Sequence, residues 1–401
     1  MVFSCLPFLG RPTNAALDAA DVPEKSSRMG ARPSAPSYRA ALRASGAGSA
    51  AALAELRALM TENKLDAYVI PNEDEHGSEI PASSELRRGF MTGFHGTAGL
   101  AVVTQDEALL FTDSRYWIAA EKAMDPALWT LRAGSARALV PGGFQDFLVT
   151  LPAGSRIGVD ARLIPPSLKS TLDAALPAGS RLVCQRTNLV DAVWTDKPVR
   201  STDAVVVHPL KFTGRGIESK LAELRAAIAE AGAGAYLVTP LDDLAWLVNL
   251  RGNDTFNQPF FYAYMFVSAA DAVLFIDRAE VSPEVDAYLT AAGVRTVPYG
   301  DVWDFLKAEK AENPKSAVLV DPKASYAVIE VLGVRQGQDH PVSDQHLESS
   351  QNDVEIQGFY NANLRDGVAM VRWYGWLEEQ VVKKNKVVTE YEAERKLNEY
   401  R

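Results

Sequence analysis

Cysteine is almost missing from this chain, with only Cys5 and Cys184 among 401 residues. Two thiols cannot build a disulfide framework or a thiolate zinc site, and such usage suits a reducing compartment. Histidine is scarce too, at five residues, and none of them stands in an H-E-x-x-H pair. A helix-borne zinc site of that kind is therefore excluded. Basic charge is outweighed, with 41 Lys and Arg against 51 Asp and Glu, a formal net charge of −10. The isoelectric point near 5.2 argues against a nucleic-acid partner, because binding a polyanion usually rests on a basic face. Long hydrophobic runs are missing as well. The opening Val2 to Leu9 is apolar but lacks a basic flank and falls far short of the roughly 20 residues a membrane span needs. Neither a signal peptide nor a membrane partner is expected. No G-x-S-x-G elbow, P-loop or strand-borne G-x-G-x-x-G is present, which removes the commonest serine-hydrolase and nucleotide-binding readings.

What is present is globular in composition, 47% hydrophobic and 23% charged. At roughly 150 residues per domain the length suits two or three domains. Residues 1–48 are rich in Ala, Ser, Pro, Gly and Arg and lack periodicity, so a disordered N-terminal segment is expected there. An internal repeat sets the architecture beyond it. Leu53-Ala-Glu-Leu-Arg-Ala58 recurs as Leu221-Ala-Glu-Leu-Arg-Ala226, and Ala67-Tyr68 recurs at the same offset as Ala235-Tyr236. Ala108 to Asp113 is echoed by Ala272 to Asp277, and Ile157 to Asp160 by Val318 to Asp321. Each copy reads as an amphipathic helix, then a short apolar strand ended by Pro71 or Pro240, then further strands and helices. The expectation is an α/β domain present twice, over 49–205 and 206–340.

Residues 341–401 change character. A polar stretch suited to a linker leads into an apolar stripe at Ile356, Phe359, Tyr360, Val371, Tyr374, Leu377 and Val381, the pattern of a long amphipathic helix. Thr389-Glu-Tyr-Glu392 then matches a capping box that would open a second helix. These two helices cannot bury their stripes on each other completely, so they read as the beginning of a third domain.

Few residues offer chemistry. Glu73-Asp74-Glu75-His76 is contiguous, so its side chains diverge, and it reads as a solvated acidic loop rather than a metal site. His340 and His346, with Asp344 between them, lack a third and fourth ligand and read as linker residues. The glycines of Phe90-Met-Thr-Gly-Phe-His-Gly-Thr-Ala-Gly99 suit tight turns. Asp113-Ser114-Arg115-Tyr116 stands apart, because it follows an apolar strand that would present Arg115 from a rigid edge. Arg115 there either pairs with a carboxylate on the surface or grips a peptide carbonyl or carboxylate with two parallel N–H bonds.

Three passages resemble the Xaa-Pro aminopeptidases, in particular the cytosolic eukaryotic kind with two creatinase-like domains ahead of a pita-bread catalytic domain. They are Phe90 to Gly99 with Phe111 to Trp117; Leu241 to Asp254 with Phe260 to Tyr264; and Asn352 to Phe359 with Arg365 to Ala369, Trp376 to Glu379 and Thr389-Glu390. The resemblance implies two tandem creatinase N-terminal-like α/β domains followed by the first helices of a pita-bread α+β domain. It implies removal of an N-terminal residue ahead of proline from peptides, by water activated on two manganese ions. It also implies a substrate-binding role for Arg115, with Asp113 and Tyr116 supporting it, a cytoplasmic location and a homodimer. The family's two Asp, one His and two Glu ligands fall beyond Arg401, so this chain is expected to hold no catalytic or metal-binding residue and to be inactive alone. Two alternatives stay open: a non-catalytic dimerisation or regulatory module, and a creatinase-like amidinohydrolase relative.

Overall fold

The computed structural model describes residues 48–133, 143–333 and 351–401. The readings made for residues 1–47, including Cys5, and for His340, Asp344 and His346 fall outside these residues.

The first unit opens on helix Ala50–Glu62, whose N-cap Ser49 accepts a hydrogen bond from the Ala52 amide. Ala52, Leu53, Leu56 and Met60 form its buried face, the spacing of a helix packed on one side. The chain then enters β1 (Ala67–Ile70), followed by β2 (Leu100–Thr104), β3 (Ala108–Thr112), β4 (Thr130–Ala133), β5 (Arg156–Asp160) and β6 (Arg181–Gln185). Their order in the sheet is β4-β3-β2-β1-β5-β6. The second unit contributes β8 (Ala235–Val238), β10 (Ala263–Ser268), β11 (Ala272–Ile276), β12 (Arg295–Pro298) and β13 (Val318–Val320), ordered β12-β11-β10-β8-β13. A small ribbon pairs β7 (Val206–Val207) with β9 (Leu250–Arg251).

The repeat seen in the letters is a repeat of topology. β1 pairs antiparallel with β2 and parallel with β5, and β8 pairs antiparallel with β10 and parallel with β13. The matched letters sit on the matched faces. Tyr68 and Ile70 join the core on one side of the first sheet while Ala67 and Val69 join the core on the other. Tyr236 and Val238 likewise divide from Ala235 and Leu237. Both central strands are buried on both faces, which is why they read as continuous apolar runs rather than alternating ones.

One helix position differs between the copies with consequence. Lys220 is 1% exposed and occupies the place that Ala52 holds in the first copy at the offset of 168. Its Nζ donates to the Trp246 carbonyl at 2.6 Å and to Asn249 Oδ1 at 2.7 Å, and lies 4.0 Å from the Trp246 ring centroid. Trp246 belongs to the last turn of helix Leu241–Leu247, so the ammonium meets the negative end of that helix at a carbonyl that also accepts from the Asn249 amide. Lys220→Met is expected to cost about 2 kcal/mol, the worth of hydrogen bonds to a buried charge. A urea midpoint unchanged within error would show the contact to be idle.

Past the second unit, Asn352 and Glu355 form a capping box that starts helix Asp353–Glu378. A π-helical turn at Glu379–Lys383 ends it, and the capping box expected at Thr389 and Glu392 starts helix Glu390–Tyr400. Trp373 Nε1 donates to the Ala393 carbonyl at 2.7 Å and Arg401 Nε to Asp366 Oδ1 at 2.7 Å, tying the two helices together. Much of the apolar stripe stays exposed, including Tyr360, Val371 and Tyr374.

Candidate functional site

Arg115 lies where the sequence places it, in the turn between β3 and helix Trp117–Ala123. Its Nε and Nη2 donate to the two carboxylate oxygens of Asp113, each at 2.8 Å, and Asp113 Oδ1 also accepts from the Arg115 backbone amide. The side chain is 67% exposed, and Asp113 raises its pKa above the already high ordinary value. The pair therefore presents an oriented, permanently charged guanidinium to solvent. Tyr116 lies beneath it, 5.3 Å from ring centroid to guanidinium carbon. Its hydroxyl shares a 2.8 Å hydrogen bond with Thr97, in the glycine-rich loop.

That loop packs as its glycines require. Gly93 caps helix Arg87–Thr92 at φ 75°, in the left-handed region. A Cβ on Gly96 would lie 2.3 Å from the Phe94 ring and 2.8 Å from the Tyr116 ring. Arg88, buried beside it, donates to Asn72 Oδ1 and to the Gly96 carbonyl. Tyr116 is thus held from two sides, and Arg115 sits on a firm platform.

The stretch Glu73 to His76 corrects the expectation of a solvated loop. Glu73 is exposed, but Asp74, Glu75 and His76 are buried at 1%, 7% and 4% exposure, in the seam between the two sheet units. Asp74 accepts from the His76 and Ser78 amides and from Tyr262 Oη at 2.5 Å. Glu75 accepts from Arg200 Nη2 and Tyr299 Oη, both at 2.6 Å. Arg200 also reaches Glu85 and covers the rings of Tyr262 and Tyr299 at 4.3 and 4.8 Å. A small apolar patch of Ala82, Leu241 and Tyr262 closes the seam beside these charges. The loop reads as polar because its neighbours are charged; Arg200, ahead of β7, and Tyr262 and Tyr299 of the second unit supply the donors that let it be buried.

A third feature is an open groove of about 460 Å³ between β7, β9 and the start of the long helix, lined by His208, Phe212, Trp246, Arg251, Glu355 and Phe359. Burial and the charges of Arg251 and Lys220 push His208 below the ordinary imidazole value. Among the described residues no group of three or more His, Cys, Asp or Glu side chains could hold a metal ion. The manganese pair implied by the resemblance therefore does not fit the described residues. No helix among them is long and apolar enough to cross a membrane.

Two family models, both described as the creatinase/prolidase N-terminal domain, match residues 53–193 and 196–355. A probable Xaa-Pro aminopeptidase P of Neurospora crassa is 36% identical over 87% of this chain and 52% of its own length. One from Laccaria bicolor is 38% identical over 87% of this chain and 54% of its own length. The chain is a relative of Xaa-Pro aminopeptidase P with two creatinase/prolidase N-terminal domains. The crystal structure of an X-prolyl aminopeptidase from Caenorhabditis elegans superposes with a TM-score of 0.79 at 32% identity, covering 87% of this chain and 59% of that one. That protein is described as a cytosolic enzyme with a di-nuclear active site. The chain spans about half the length of the curated aminopeptidase P relatives it matches.

Within this aminopeptidase P relative, Asp113, Arg115 and Tyr116 come together in one turn, as their spacing alone requires. Arg200, Tyr262 and Tyr299 had no signal of their own in the sequence. The nearest hint was the aromatic density of Phe260 to Tyr264, which also serves ordinary core packing.

Proposed function

We propose that this chain forms the N-terminal, substrate-facing part of an Xaa-Pro aminopeptidase that acts on peptides with proline in second position. The observation that carries the reading is the likeness to the curated aminopeptidase P sequences and to the nematode enzyme along 87% of the chain. The domains at 49–205 and 206–340 then serve as a scaffold, and helices Asp353–Glu378 and Glu390–Tyr400 begin a pita-bread catalytic domain. Hydrolysis belongs to a pair of divalent ions, manganese by family, whose ligands lie outside the described residues. In this reading the enzyme works in the cytoplasm and as a homodimer.

Arg115 is the residue of this chain that meets substrate. Asp113 occupies its Nε and one proton of Nη2, leaving Nη1 to grip a carbonyl or carboxylate of an extended peptide, and Tyr116 supports the stack. Proline's tertiary amide has no N–H and holds φ near −65°, so recognition must come from carbonyl and terminal groups rather than from the scissile amide.

The test uses the protein as purified from its source, with manganese, on a peptide bearing proline second and on the same peptide bearing alanine there. Release of the first residue from the proline peptide alone is expected. Arg115→Ala should lower kcat/KM roughly tenfold, the loss of one charge-assisted contact. Equal cleavage of both peptides would exclude the proposed specificity, and an unaltered kcat/KM would remove Arg115 from the substrate site.

A further inference from the structure

The groove beside β7 and β9 belongs neither to the seam nor to the Arg115 turn, and its walls are held in place by hydrogen bonds. Trp246 and Asn249, which line it, are both tied to the buried Lys220 ammonium. Asn249 Nδ2 donates onward to the Arg215 carbonyl at 2.8 Å, and the Asn249 carbonyl accepts from the His208 amide at 2.7 Å. Arg251 Nη1 donates to the Ala245 and Leu250 carbonyls at 2.9 and 2.8 Å. The long helix Asp353–Glu378 forms the remaining wall, and Asn352 Nδ2 fixes its start by donating to the Thr213 carbonyl at 2.9 Å. Such a frame is set before any ligand arrives, which lowers the ordering cost of binding.

Two large apolar side chains stand open on that frame. Phe212, from helix Leu210–Thr213, is 51% exposed, and Phe359, from the long helix, is 58% exposed. The His208 ring stacks on Phe212, with centroids 5.5 Å apart and planes at 17°. The charge around these rings is positive, in a chain whose formal net charge is −10. Arg251 lies in the wall, the Lys220 ammonium lies 4.0 Å from the Trp246 ring centroid, and Lys211 Nζ lies 4.9 Å from that of Phe212. Against them, among the described residues that line the groove, stands Glu355, whose Oε2 already accepts from the Asn352 amide at 2.9 Å. Burial, then Arg251 and Lys220, hold the His208 imidazole below its ordinary value. The same cations favour an anion beside it.

At about 460 Å³ the groove has the size of small-ligand sites, about 300–1,000 Å³. Aromatic walls with a cationic margin fit one chemistry, an apolar ring next to a carboxylate. We propose that this groove binds the C-terminal end of a short peptide, its last side chain between Phe212 and Phe359 and its carboxylate toward Arg251 and Lys211. The choice of a peptide as the carboxylate rests on the peptidase reading above, while the groove itself performs no chemistry.

Calorimetry of the whole 401-residue chain with N-acetyl-Pro-Phe tests the proposal, because the blocked amine is no substrate for an aminopeptidase and binding is read without turnover. Saturable binding of one molecule per chain is expected. The carboxamide of the same probe should bind about tenfold more weakly, the loss of a charge-assisted contact. Phe212→Ser with Phe359→Ser alters only exposed positions, so the melting temperature should stay near that of wild type while the acid binds about tenfold more weakly. Lys211→Gln, which touches no core residue, should weaken the acid and leave the carboxamide unchanged. The ring signals of His208, assigned through their loss in His208→Gln, should titrate at higher pH with the probe bound, because a neighbouring carboxylate favours the charged imidazole. The proposal is overturned if the probe does not bind, if acid and carboxamide bind equally, or if the double Phe variant binds as wild type does. Octanoate binding as tightly as the peptide would assign the groove to fatty acids instead. Self-association abolished by the double Phe variant, with no peptide bound, would give it to a second copy of the chain. None of these outcomes touches the cleavage of proline peptides, which its own assay decides.

Discussion

Arg200→Ala is expected to be the most destabilising single change outside the apolar cores, lowering the unfolding free energy by about 3 kcal/mol. The side chain is 30% exposed, yet it serves Glu75 and Glu85, whose side chains are 8% and 5% exposed. Removing the guanidinium leaves Glu75 with Tyr299 alone and Glu85 with Arg87 and Ser84. The cost is that of a buried carboxylate losing its counter-charge, which exceeds what a surface pair is worth. Two aromatic faces also lose their cation, a smaller effect. Urea denaturation of the wild-type chain, Arg200→Ala and Arg200→Ala with Glu75→Gln would check the account. The double variant should recover at least about 1 kcal/mol, because its glutamine needs no counter-charge. If it is as unstable as the single variant, Arg200 acts by packing rather than by charge.

Glu280→Gln is expected to stabilise the chain at alkaline pH, the reverse of what removing a native charge usually does. Glu280 is 2% exposed and its Oε2 has no hydrogen-bond partner. Burial first, then the nearby Asp254 and Asp277, push its carboxyl up to about 9. Burial raises Asp254 as well, to about 6. An acid whose folded pKa is raised holds a proton that the unfolded chain gives up at about 4.3. The folded state therefore binds more protons between that value and about 9, and stability falls as pH rises through the window. Glutamine resembles the protonated form at every pH. The variant should exceed wild type by on the order of 2 kcal/mol at pH 8 and match it near pH 4.5. Unfolding curves at several pH values would decide it; equal slopes for the two proteins would mean that Glu280 is ionised in the native state.

Both predictions rest on residues that the sequence did not single out, and the reason is physical. Local signals act over a few residues. The offset of 168 between the two copies, the apolar runs at β1 and β8, and the capping box at Thr389 depend on neighbours in the chain, and each was legible. The Asp113 to Tyr116 turn was legible for the same reason, since three residues after one strand must stay together. Burial of a charged loop is a different kind of fact. Glu75 is buried because Arg200 stands 125 positions on and Tyr299 stands 224 positions on. Nothing within the letters Glu73 to His76 separates that arrangement from a solvated loop.

The sequence by itself determined the duplicated α/β plan, the turn that carries Arg115 and the two helices that follow, the second with its cap, because period, propensity and capping are properties of short segments. Tertiary structure alone decided which polar groups left water. Desolvation is tolerated only where distant elements bring donors and counter-charges to the same few ångströms, and here the packing of one sheet unit on the other does so.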